Sequence, residues 1–99
     1  MLSGCTGFEW DAHNAEKNRR SHGVAPAECE EIFFNRPLVV AADVKHLEKE
    51  GRFYALGLTD EGRPLFAAFT VREGNIRIIS ARDMNRKERK VYESHEEDP

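Results

Sequence analysis

The chain has 99 residues, 39% hydrophobic and 33% charged, with a formal net charge of −3. That suits one domain over residues 1–99 around one hydrophobic core: too apolar for a disordered acidic chain, too charged for a membrane protein, and without the roughly 20 apolar residues of a spanning helix. As a whole-chain average, the acidic balance argues against a nucleic-acid binder. The average conceals a division. Residues 1–51 carry six bases against nine acids, residues 52–92 carry nine against five, and Glu93, Glu96, Glu97 and Asp98 close the chain. Arginine dominates the basic part, and its planar guanidinium holds phosphate bidentately and stays charged.

In chain order, Phe8-Glu9-Trp10 reads as a short edge strand. Asp11 suits the N-cap of a helix over 12–22, which Gly23 ends in a left-handed conformation. Pro26 opens a second helix, in which Cys29, Ile32 and Phe33 recur at helical spacing before Asn35-Arg36-Pro37 stops it. A strand over 37–41 and a charged loop over 43–51 follow. Strands over 52–59, 65–72 and 76–82, joined by turns at Gly62 and Gly74, form an antiparallel meander. Asn85 and Glu88 have capping-box spacing and start a final helix bearing Arg86, Lys87, Arg89 and Lys90, with Val91 and Tyr92 as apolar anchors. So polar a helix either lies over the sheet edge through those two residues or is held by a partner. Segregated helices and an antiparallel sheet define the fold class as α+β. Residues 1–7 and 94–99 read as flexible tails.

Cys5 and Cys29 are too few and too far apart for a disulfide framework or a metal site, and Cys29 reads as a small core residue. The opening Met1-Leu2-Ser3-Gly4-Cys5 lacks the charged and apolar regions of a signal peptide, so a reduced, cytoplasmic setting is expected. His13, His22, His46 and His95 offer no pair at ligand spacing, and neither a glycine-rich phosphate loop nor a serine-nucleophile elbow is present. No metal and no cofactor are expected. The arginines remain. Strict alternation puts Ile76, Ile78, Ser80 and Arg82 on one face of their strand and Arg77, Ile79 and Ala81 on the other. Arg72 ends the preceding strand and Arg52 begins the one before it. Gathered near Tyr92, these groups would suit gripping a phosphodiester and stabilising its extra charge during cleavage. Ion pairing with Asp83, Glu73 and Glu88 is the plainer use, and spacing alone favours it. The register of the second hairpin decides whether the arginines converge, and the sequence leaves that register open.

Phe8-Glu9-Trp10-Asp11, Lys17-Asn18, His22-Gly23-Val24, Arg52-Phe53 with Gly57, Ile76 through Arg82, Arg86-Lys87-Glu88-Arg89 and Tyr92-Glu93 together resemble the BrnT family, toxins of bacterial type II toxin–antitoxin systems. The resemblance spans Phe8 to Glu93. It implies a RelE-like fold, a small antiparallel sheet with two N-terminal helices and a C-terminal one. It also implies a metal-independent endoribonuclease that inhibits translation and is neutralised by a ribbon-helix-helix, BrnA-like antitoxin, with operator DNA reached only through that antitoxin. Carried onto this chain, the implied catalytic group is Arg52, Arg72, Arg77, Ser80, Arg82 and Tyr92, with Lys17, Arg63, Arg86 and Arg89 as RNA contacts. No histidine lies on the basic sheet segment, so the general base is unassigned. The competing class is a non-catalytic binding module of the same fold that holds an antitoxin or RNA.

Overall fold

The computed structural model describes residues 5, 7–43 and 51–96. Among the described residues, eight elements follow one another: β1 (Gly7–Trp10), α1 (Ala12–His22), α2 (Pro26–Ile32), β2 (Val39–Ala42), β3 (Arg52–Leu58), β4 (Pro64–Arg72), β5 (Asn75–Asp83) and α3 (Arg86–Glu96). Residues 44–50 of the expected loop lie outside the described residues. Of the expected tails, Gly7 lies in β1 and residues 94–96 in α3, while residues 1–4, 6 and 97–99 lie outside the described residues.

The helices begin and end where local chemistry requires. The Asp11 carboxylate accepts from the amides of His13 (2.8 Å) and Asn14 (3.3 Å), two donors that the first helical turn leaves unpaired. Gly23, at φ 63°, closes α1 in the left-handed conformation that a side chain would resist. Asn85 and Glu88 exchange amide-to-side-chain bonds of 2.9 and 2.8 Å, completing the capping box of α3.

The five strands stand in the order β1-β5-β4-β3-β2. Strands β2 to β5 are antiparallel, as the meander predicts, but β1 pairs parallel to β5, with Glu9 beside Arg77. The sheet is therefore mixed rather than wholly antiparallel.

Its two faces are covered unequally. On one face, Val24, Cys29, Ile32 and Phe33 pack on Ala55, Leu65, Ala67, Phe69, Ile76, Ile78 and Ala81. Phe69 is fully buried there, edge-on to Phe33 and stacked on Phe53. Cys29 is sealed in this core, and burial, with Glu30 adding repulsion, pushes its thiol up to about 12. On the opposite face a smaller cluster of Leu56, Met84 and Tyr92, flanked by Val39, Leu58 and Phe66, seats α3. Tyr92 is the buried anchor of that helix; Val91 is 43% exposed and turns outward, contrary to the paired anchoring expected of the two.

Candidate nucleic-acid interface

The turn between β4 and β5 fixes the register that the sequence leaves open. Glu73 (φ 52°) and Gly74 (φ 80°) form a two-residue loop with positive φ at both positions, the requirement of a type I′ hairpin turn, and Arg72 pairs with Asn75 across it. Register then carries Thr70 opposite Arg77 on one side and opposite Arg52 on the other. Arg52, Thr70 and Arg77 thus form a row across three strands on the face that α3 shares. Its ends are two strand spacings, about 10 Å, apart. Arg72 follows two residues beyond Thr70 on the same face.

A bulge in β5 brings Ser80 and Arg82 to this face as well. Ala68 opposes Ser80 while Phe69 opposes Ile78, so Ile79 is left without a partner and the alternation changes phase there. Ala81 consequently enters the α2-side core with Ile76 and Ile78, and Arg77, Ser80 and Arg82 share the opposite face. This corrects the strict alternation expected from the sequence, which separates Arg77 from Ser80 and Arg82.

Next to the arginine row lies a row of small side chains, Ala41, Ala68 and Ser80, interrupted by Tyr54. Ala68 and Ser80 are half-buried. Tyr54 stacks on Phe66, with ring centroids 5.8 Å apart. Glu9 brings a carboxylate to the same face from β1 and accepts a 3.4 Å hydrogen bond from Asn75. Sequence reasoning missed Tyr54, Thr70 and Glu9, which only the strand pairing puts beside the arginines.

Among the described residues, the side chains of Arg52 and Arg77 make no ion pair, and both are half-buried. Arg82 is committed to structure. It grips Glu88 through bonds of 2.8 and 3.0 Å and lies 4.1 Å over the Phe66 ring. The bonds it donates to the Glu88 carboxylate, opposed by burial, hold its guanidinium above the ordinary value. Arg63 is equally occupied, and away from the row. It holds Asp83 (2.7 and 3.2 Å), Glu28 (3.3 Å) and the carbonyls of His22 and Gly23, tying the β3–β4 turn to the end of α1. Its expected contact with RNA would have to be made from within this network. Lys17 stands exposed on α1, beside Glu16 and Arg20, which are themselves ion-paired. Arg86 and Arg89 are exposed on α3. These three are separate from the row.

Tyr92 is 2% exposed, and its hydroxyl donates to the Pro37 carbonyl at 2.6 Å. Burial raises its phenol further, helped by Glu96. The enclosed hydroxyl anchors α3, away from the Arg52–Thr70–Arg77 row. Tyr92→Phe is expected to lower stability by about 1 kcal/mol, since the half-buried Pro37 carbonyl loses its donor. Denaturant unfolding checks this.

The paired carboxylates make the fold acid-sensitive. For Glu88, burial raises the carboxyl, but Arg82 and the Asn85 amide outweigh it and hold it below its ordinary value. Arg63 holds Asp83 low in the same way. A lowered folded-state value means that the stabilisation is complete above the unfolded values, about 4, and is lost as pH falls through the folded ones. Unfolding midpoints should therefore be flat from pH 7 to about 5 and fall below about 4. Glu88→Gln should reduce that acid-dependent loss.

The fold and this face define a class: a small α+β domain with arginines gathered on one face of its sheet, two of which, Arg52 and Arg77, make no ion pair among the described residues. Comparison with known proteins gives the particular family. The family model described as ribonuclease toxin, BrnT, of type II toxin-antitoxin system matches residues 10–88. The chain belongs to that family of ribonuclease toxins. Among solved structures, it is similar to the Brucella abortus ribonuclease toxin BrnT, at 18% identity and a TM-score of 0.62, over 82% of this chain and 99% of that one. No curated protein matches it in sequence. Among the described residues, no helix is long and apolar enough to cross a membrane.

Proposed function

We propose that this chain is a metal-independent endoribonuclease that arrests translation by cleaving RNA across the Arg52–Thr70–Arg77 row. The observation that carries this reading is the pair of arginines on adjacent-but-one strands, aligned by register and free of ion pairs among the described residues. Two guanidinia that reach one phosphate neutralise the charge gained when the RNA 2′-hydroxyl attacks the adjacent phosphorus. In that step the bond to the 5′ oxygen breaks, leaving a 2′,3′-cyclic phosphate and a 5′-hydroxyl. The 2′ proton passes to a base, a role we assign to Glu9 on the same face, and the departing 5′ oxygen takes a proton from water. Arg72 lies farther along the face, and Ser80 floors it with Ala68.

Family membership supports the toxin reading, and with it a cognate antitoxin of the ribbon-helix-helix, BrnA-like kind as partner, in the cytoplasm. Such a partner would neutralise the toxin and carry any contact with operator DNA. Expression without an antitoxin should stop growth and fragment cellular RNA, and the purified chain should cleave RNA equally in EDTA. Unaffected growth with intact RNA would favour the non-catalytic binding module. Loss of cleavage in EDTA would sink metal independence alone.

A further inference from the structure

We propose that Thr70 is a substrate-contacting residue, its hydroxyl donating a hydrogen bond to the phosphate that Arg52 and Arg77 hold. This deepens the RNA reading above and rests on it. Thr70 is 3% exposed, and its Oγ1 is buried without any hydrogen-bond partner. Among the described residues only Asn18 Nδ2, on α1, shares that state. A buried hydroxyl without a partner destabilises the fold that contains it, so in the free protein this group does no bonding work. It occurs in the middle of the arginine row, paired in register with both cations. A neutral donor between two guanidinia offers a phosphate a third hydrogen bond from the one position on the row that adds no charge repulsion. Movement of the two flanking side chains onto a common anion is what uncovers it.

The reading predicts opposite signs for stability and activity. Thr70→Val keeps the shape and removes the orphan hydroxyl. The free protein should unfold at a temperature unchanged or higher by about 4–8 °C. Its kcat/KM for RNA cleavage should fall about 10- to 100-fold, the effect of one hydrogen bond to a charged group. Affinity for an oligonucleotide carrying 2′-deoxyribose at the cleavage position should weaken in parallel. Thr70→Ser, which restores the hydroxyl, should recover most of both. Undiminished cleavage by Thr70→Val, with cleavage lost in Arg52→Ala, overturns the role of Thr70 alone. Undiminished cleavage in both variants overturns the RNA face itself. A lower unfolding temperature for Thr70→Val also overturns the proposal, because the hydroxyl would then already be bonded in the free protein.

Discussion

Arg52→Ala and Arg77→Ala should each reduce RNA cleavage by about 10²- to 10³-fold in kcat/KM, the usual effect of removing one stabiliser of transition-state charge. The double variant should fall further but by less than the product, since two cations on one phosphate act as a unit. Both side chains are half-buried and, among the described residues, lack ion pairs, so unfolding free energies should stay within about 0.5 kcal/mol of the parent. Lysine at either position keeps the charge but loses the two-pronged grip, and should recover only part of the rate. Arg82→Ala supplies the contrast. It strips Glu88 of its bidentate partner and Phe66 of the cation above it, so its first effect is on the seating of α3. Single-turnover cleavage measured beside denaturant unfolding separates the two kinds of arginine. Full cleavage by the Arg52/Arg77 double variant would place the chemistry elsewhere.

Gly57→Ala should cost about 3 kcal/mol through overpacking, toward the upper end for added volume in a filled core. A β-carbon at Gly57 would stand 2.9 Å from Ile32 Cβ and 3.1 Å from the Ile32 carbonyl oxygen. Neither is the loose end of a side chain. Ile32 is fully buried on α2, and Gly57 pairs with Leu65 in the middle of the sheet, so helix and strand would have to part. That separation would loosen Cys29, Ile32 and Phe33 together. For a domain of this size, whose whole stability is of the order of 5–15 kcal/mol, the loss should appear as a large drop in denaturant midpoint. A variant as stable as the parent would mean that α2 does not approach the sheet this closely.

How much of this was legible in the sequence depended on range. Asp11, Gly23, Pro26 and the Asn85–Glu88 pair act within one helical turn, and each places its helix end where the sequence puts it. The meander was legible because Gly62 and Gly74 adopt the positive φ that its turns require. What lay hidden was settled between strands. Nothing local to Phe8-Glu9-Trp10 says that it pairs parallel to a strand near the other end of the chain. Nor does Ile79 differ in kind from Ile76 or Ile78, yet as the bulged residue it decides which face receives Ser80 and Arg82. The site was legible as a set of arginines and not as an arrangement. Arg63 and Arg82 look like Arg52 and Arg77 in sequence, and only their carboxylate partners separate them. The resemblance to BrnT toxins supplied the family that the match over residues 10–88 shows.

The parallel pairing of β1 bears on how the molecule assembles. Strands β3, β4 and β5 are joined by short turns, so they can zip together with little loss of chain entropy, and the arginine row lies wholly within them. β1 is the first strand to be synthesised, yet its partner is the last strand of the sheet. During synthesis it must wait, with Phe8 and Trp10 uncovered, until β5 has left the ribosome. Closure of the edge is thus a late folding event, and the nascent chain can form its arginine row before the finished molecule exists.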